Sequence, residues 1–180
     1  MKAEQVGLYK GECWIETFTG KFINPLNLKP EDIDICDIAH ALSLICRFNG
    51  HCIENYSVAE HSIRVSDLLK GEDKLTGLLH DASEAYMADI ARPVKWALPQ
   101  VREVEGLIQI AINTKFNLKG DWRAVKKADN ILLATEARDL MRTKGADWYL
   151  PIAPLETRIV TWDSKLAEQK FLAYFDLLSK

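Results

Sequence analysis

The chain has 180 residues, 48% of them hydrophobic, enough to bury the core of one compact domain and marginal for two. Its 23 basic and 26 acidic side chains leave a net charge of -3, so no basic excess is present to clamp long nucleic acid. Phosphorylated small molecules stay open as ligands, because a few placed Lys and Arg suffice for them.

In chain order, the start (Met1-Lys2-Ala3-Glu4-Gln5) lacks the apolar run of a signal peptide. Trp14 to Ile23 carries aromatic and β-branched residues around Thr19-Gly20 and predicts a short hairpin. Residues 24–30, punctuated by Pro25 and Pro30, read as loop. Ile35, Ile38, Ala39, Leu42 and Ile45 fall at helical spacing, and Gly50 closes that segment. Ser57-Val58-Ala59-Glu60 is a capping-box sequence at a helix start, and Val58, His61, Val65 and Leu68 then share one stripe, so His61 points at the core from the first turn. A third helix is expected over 73–86, with Leu75, Leu78, Leu79 and Ala82 apolar and with His80 and Glu84 four apart on one face. Residues 89–99 hold two prolines and read as loop with at most a short turn. Val101, Val104, Leu107, Ile108, Ala111 and Ile112 make a fourth helix. A fifth covers 125–142 with Asp129 near its start. The sixth begins near Asp163, with Leu166, Phe171, Ala173, Phe175 and Leu178 among its apolar positions. The expected architecture is an all-α globule of about six helices in one domain, a hairpin and loop segment over 1–30 preceding a helical core over 31–180. No stretch is long and apolar enough to span a bilayer. The four cysteines (Cys13, Cys36, Cys46, Cys52) contain no Cys-x-x-Cys pair and read as reduced, mostly buried thiols of a cytoplasmic protein.

The chemistry-bearing residues are His61, the adjacent His80-Asp81 pair and Asp129, each within a helical stretch. Two imidazoles and two carboxylates can close around one small divalent cation, provided that three helices meet there. Taken singly, His61 reads as a satisfied core histidine and Asp129 as a helix-start acid, and a lone His-Asp dipeptide is a weak signal. Glu84, three residues past Asp81, suits orienting or deprotonating an attacking water; its plainer reading is a solvated helix carboxylate. Arg47 and Lys95 are the best phosphate contacts, with a surface cation as the alternative for either and the default for Arg92. Phe48 could pack against sugar or base or simply belong to the core, and Gly50 leaves room beside a purine. His40 fits a helix rim and His51 a loop. Trp96, Trp122, Trp148 and Trp162 read as packing residues, and Glu103 with Glu105 as a solvated helix face.

Arg47-Phe48, Tyr56 to Ser62, Leu79 to Glu84, Pro93-Val94-Lys95 and Ala128-Asp129, in that order, resemble the HD-domain phosphohydrolases. The nearest local likeness is to YfbR-type 5′-deoxynucleotidases and the phage DatZ-type dATP triphosphohydrolases. The resemblance spans about half of the chain, is most specific from His80 to Lys95, and implies an all-helical HD fold. It further implies His61, His80, Asp81 and Asp129 as ligands of one divalent ion, with Mn, Co, Zn and Mg all compatible. No His follows His80, which favours one metal over two. Asp89 could then protonate the leaving 5′ oxygen or hold a second water, a turn or cap acid being the alternative. Pro93 and Lys95 would lie along the substrate. The family commonly has Trp where this chain has Phe48. The expected activity is cleavage of the 5′ phosphoester of a deoxynucleotide, leaning toward a dATP-like triphosphate because the compact form with an N-terminal hairpin is closer to the phage proteins. A monophosphate nucleotidase and a nucleotide- or metal-sensing module without turnover are the alternatives. Relatives of this kind are homo-oligomers.

Overall fold

The computed structural model describes residues 14–180; the chain start and Cys13, for which the sequence carries expectations, lie outside the described residues. Strands β1 (Ile15–Glu16) and β2 (Phe22–Ile23) pair antiparallel, with Ile15 opposite Ile23 and Glu16 opposite Phe22. The turn between them contains Gly20 at φ +83°, a left-handed value that glycine adopts without steric cost. Thr19 anchors the turn on the first helix, its N–H and hydroxyl donating to the two oxygens of Asp37 at 2.7 and 3.0 Å. Residues 24–32 follow as two short 3-10 turns, Pro25–Asn27 and Pro30–Asp32.

Helix α1 (Ile35–Leu44) starts on Asp34, whose side chain accepts from the Cys36 N–H. It ends six residues before Gly50. Ile45 is extended, its carbonyl accepts from the Val58 N–H, and Cys46 bridges Ser57. This backbone pairing replaces the last helical turn and sets Arg47–Gly50 as a separate 3-10 turn, in which Phe48 and Asn49 hold φ near +53°. Helix α2 (Val58–Asp67) is capped by Ser57, which accepts from the Glu60 N–H at 3.1 Å. The Glu60 carboxylate does not return to close a capping box. It accepts from Arg64 at 2.7 and 2.9 Å and from the Trp162 N–H at 2.8 Å.

The helix expected over 73–86 is broken. Helix α3 (Asp73–Leu78) and the short α4 (Glu84–Met87) flank a run of turns that contains His80-Asp81. Across the break the backbone bonds tighten from a four-residue to a three-residue span, as in Ala82 to Leu79 and Glu84 to Asp81. The Gly77 carbonyl, which a continuous helix would pair with a backbone N–H, accepts instead from the His80 imidazole at 2.7 Å. Residues 92–97, expected as loop, form α5 (Arg92–Ala97), because Pro93 falls in the first turn where its missing N–H costs nothing. Helices α6 (Pro99–Phe116), α7 (Trp122–Leu140) and α8 (Ser164–Leu178) complete the described residues, with Asp121 and Asp163 as side-chain caps of the last two. Eight helices rather than six are therefore present among the described residues, alongside the expected hairpin.

Helix α2 is central, packing against α1, α3, α7 and α8. The main core gathers Ile38, Leu42, Ile63, Leu78, Leu79, Ile108, Ile112 and Phe171, and a smaller cluster joins Val65 and Leu69 to Val125, Ala128 and Leu132 of α7. Leu107, Leu166 and Ala173, expected among the apolar faces, are exposed. Of the described cysteines, all free, Cys36 is exposed and Cys46 and Cys52 are half-buried, so the thiols are less buried than expected. No helix among the described residues is long and apolar enough to cross a membrane.

Because α2 carries His61 and leans on one side-chain cap, Ser57→Ala should lower stability by about 0.5–2 kcal/mol. The check is a denaturant titration, in which a shifted midpoint at constant slope is expected and an unshifted midpoint would exclude a capping role.

Candidate functional site

His61 enters from the first turn of α2, His80 and Asp81 from the break after α3, and Asp129 from the second turn of α7. One ligand atom from each of His61, His80 and Asp81 lies within 4.8 Å of the other two, a group that can hold a metal ion. The Asp81 Oδ2 is 3.2 Å from His80 Nε2 and 3.6 Å from His61 Nε2. Asp129 stands at the edge: Oδ1 is 3.4 Å from His61 Nε2, while Oδ2 accepts from Lys126 at 2.5 Å.

The orientation of both rings is fixed from behind. The Nδ1 of His80 donates to the Gly77 carbonyl, and the Nδ1 of His61 lies 2.6 Å from Glu136 Oε1. The Nε2 atoms of both rings are buried and have no hydrogen-bond partner. A buried polar atom without a partner is costly. Two of them turned toward an Asp81 carboxylate fit a cation with nitrogen and oxygen ligands, and the break at His80-Asp81 is what brings them together.

A cavity of about 740 Å³ opens beside this group. Of the residues expected to contact substrate or act in catalysis, Arg47, Phe48, Glu84, Asp89, Pro93 and Lys95 line it, and Gly50 does not, its place being taken by Asn49. Arg47 bridges Asp81 and Glu136 at 3.4 and 3.3 Å. Lys95 stands 3.6 Å from Glu84 and donates to Glu105, so Glu105 belongs to the cavity wall and not to a solvated face. Arg92 is exposed, as expected of a surface cation, and also lines the cavity, as do Arg102 and Lys126, which sequence reasoning passed over. Trp96 and Trp148 face it too, and Trp148 packs on Phe48 with ring centroids 5.7 Å apart. Trp162 lies between Arg64 and Lys170, each within 5 Å of its ring centre. Ala88, just before Asp89, holds φ +71° and ψ 163°, a region disfavoured for any residue with a Cβ. Such strain persists where the surroundings impose it, and it clusters at functional sites.

Glu136 is a further residue that sequence reasoning missed. It lies on the buried face of α7 with Val125, Ala128, Asp129 and Leu132. A Glu on an otherwise buried stripe, two turns beyond Asp129, was the available signal.

The electrostatics are dense. Burial works against ionisation of Asp81 and Asp129, but the two imidazoles outweigh it and hold both carboxyls well below the usual range. Arg47 and His61 do the same for Glu136 against its own burial. Burial and Arg47 oppose a charged His61, yet Glu136 and Asp129 prevail and bring it up to about 9. Burial, then the charges of Asp81 and Asp89, push Glu84 up to about 9.

No family model matches the chain. It is 43% identical over 136 residues to the uncharacterized protein YfdR of Escherichia coli K12, covering 75% of this chain and 76% of YfdR. The chain belongs to the YfdR family. A second relative, the uncharacterized protein RCAP_rcc00048 of Rhodobacter capsulatus, is 34% identical over 143 residues, which is 71% of this chain and 73% of that protein.

The shifts at His61 and Glu84 set the pH response of the cation-free protein. Both lie above their ordinary values of 6.5 and 4.5, so each favours the fold while protonated. The His61 contribution is complete below about 6.5 and is lost as pH rises toward about 9; that of Glu84 declines from about 4.5 over the same upper limit. Chelator-treated protein should therefore melt at progressively lower temperature from about pH 6 to pH 9. A melting temperature flat or rising across that window would contradict the assignment.

Proposed function

We propose that this protein is a metal-dependent phosphohydrolase of HD-domain type that cleaves the 5′ phosphoester of deoxynucleotides, with a dATP-like triphosphate as the preferred substrate. The observation that carries the reading is that the buried Nε2 atoms of His61 and His80, neither of which forms a hydrogen bond, converge on Asp81, which lines the cavity. In this reading His61, His80 and Asp81 hold one divalent ion with Asp129 at its edge, and Mn, Co, Zn and Mg all suit that donor set. Such an ion lowers the pKa of water toward about 7 and offsets charge on a phosphoryl oxygen.

The chain's own residues then divide the remaining work. In the cation-free protein burial and the charge of Asp81 keep Glu84 protonated; a cation offsetting that charge would lower its value, and Glu84 would then orient the attacking water and accept its proton. Water attacks the innermost phosphorus, the bond to the 5′ oxygen breaks, and the proton taken up by Glu84 passes to the departing 5′ oxygen by way of a water that Asp89 holds. Arg47, Arg92, Lys95, Arg102 and Lys126, all on the cavity wall, offset phosphate charge. Arg47, Lys95 and Lys126 are paired with carboxylates, which leaves Arg92 and Arg102 as the cations of the wall outside the described ion pairs. Phe48, Trp96 and Trp148 offer apolar faces to sugar and base. Exposed Phe22, Leu107 and Ile110 support homo-oligomeric assembly in the cytoplasm, and the net charge of -3 goes with a small nucleotide and not with long nucleic acid.

The test is release of nucleoside from panels of deoxynucleoside mono-, di- and triphosphates with Mn²⁺ or Co²⁺. Deoxynucleoside plus triphosphate from dATP is expected. Turnover of monophosphates alone would transfer the reading to a nucleotidase. Melting stabilised by nucleotide without product would make the protein a sensor, and no response to any nucleotide would remove the proposal.

Two substitutions probe the roles. Asp81→Ala should abolish loading of the divalent ion, measured by metal content after dialysis; full content would refute its place among the ligands. Glu84→Gln should retain metal and lose about 10²–10⁴-fold in kcat, and near wild-type turnover would take Glu84 out of the mechanism.

A further inference from the structure

Glu136 has no solvent exposure, and its two oxygens face different partners. Oε1 lies 2.6 Å from the Nδ1 of His61, and Oε2 accepts from Arg47 at 3.3 Å. The two contacts differ in kind. A residue serving only to neutralise buried Arg47 would keep its closest approach for the guanidinium, which Asp81 already faces from 3.4 Å. The shorter contact goes instead to the imidazole.

The elements make this contact specific. His61 is rooted in the first turn of α2 and Glu136 four residues before the end of α7, two helices packed together, and both side chains are fully buried. With a proton held on Nδ1, the opposite nitrogen is left to face Asp81 and Asp129. A carboxylate behind a ligating histidine fixes the ring's orientation and proton position and raises its basicity as a ligand. The counterpart for His80 is the Gly77 carbonyl, a neutral acceptor. The two imidazoles are thus unequal donors, with the charged support behind His61.

We infer that Glu136 is a positioning residue that keeps the His61 Nδ1 protonated and its Nε2 directed at the cation, while its second oxygen fixes Arg47 at the cavity wall. The inference rests on the metal-dependent reading above and adds a residue to it that is not a ligand.

The experiment uses two variants, each checked for fold by circular dichroism and melting. Glu136→Gln keeps the shape and removes the charge. Glu136→Asp keeps the charge and draws both oxygens back by one methylene, which a counter-ion tolerates and a short directed bond to His61 does not. The first readout is the imidazole N–H signal of His61 in ¹⁵N-histidine-labelled protein free of divalent ions. The short bond should give a downfield, slowly exchanging resonance in the wild type that is displaced or lost in both variants, while the His80 resonance on the Gly77 carbonyl stays in place. The second readout is Mn²⁺ affinity by calorimetry, expected to fall about 10- to 100-fold in both. A simple counter-ion role would leave Glu136→Asp like the wild type in both measurements, and that result overturns the inference. Unchanged Mn²⁺ affinity in both folded variants overturns this inference alone. Failure of the wild-type chain to bind Mn²⁺ overturns it together with the reading on which it rests.

Discussion

The structure is organised around buried negative charge. Asp81, Asp129 and Glu136 converge on one imidazole, His61, that has no contact with solvent. Burying ionised carboxylates is expensive unless positive charge or hydrogen bonds meet them. Here the compensation comes from Arg47, lodged between Asp81 and Glu136, and from the two imidazoles. The raised values at His61 and Glu84 express the same pressure, because the site holds protons wherever it can. The same charge draws Arg47, Lys95 and Lys126 into ion pairs with Asp81, Glu84 and Asp129, and the group of His61, His80 and Asp81 could hold a small cation.

That concentration of charge is stable only because the scaffold is rigid where it matters and irregular where it must be. Helix α2 sits at the centre of the packing and contributes His61 from a capped first turn. Helix α7 contributes Asp129 and Glu136 from one buried face. His80 and Asp81 come from a place where regular structure is given up. Between α3 and α4 the backbone tightens, the His80 ring takes over a helix carbonyl, and Asp81 reaches the same point as His61. The left-handed pair Phe48-Asn49 lines the cavity, and the strained backbone at Ala88 immediately precedes Asp89, which lines it too.

Much of this was legible in the sequence. Helices α1, α2, α6, α7 and α8 follow from apolar residues at helical spacing, and Ser57, Asp121 and Asp163 are the kind of residue that starts a helix. The hairpin followed from Thr19-Gly20 between aromatic and β-branched residues. Four residues were expected to gather; His61, His80 and Asp81 do so, and Asp129, the fourth, stands outside that group beside His61. The break at His80-Asp81 was not, because Leu75, Leu78, Leu79 and Ala82 continue a helical rhythm straight through it. What ends the helix is a side-chain bond to Gly77, which no periodicity records. Gly50 fell outside the cavity because α1 ends early to pair Ile45 and Cys46 with the start of α2. Glu105 and Glu136 were opaque for a common reason: a glutamate on a helix looks solvated until its partner, Lys95 or His61, is brought to it from another element.

The central claim is that His61, His80 and Asp81 share one cation. The most direct measurement is anomalous scattering from crystals of the protein soaked in Mn²⁺. The account requires a single strong peak within coordinating reach of both Nε2 atoms and an Asp81 oxygen. Crystals that take up Mn²⁺ elsewhere, with these three side chains left without a shared ion, would contradict it.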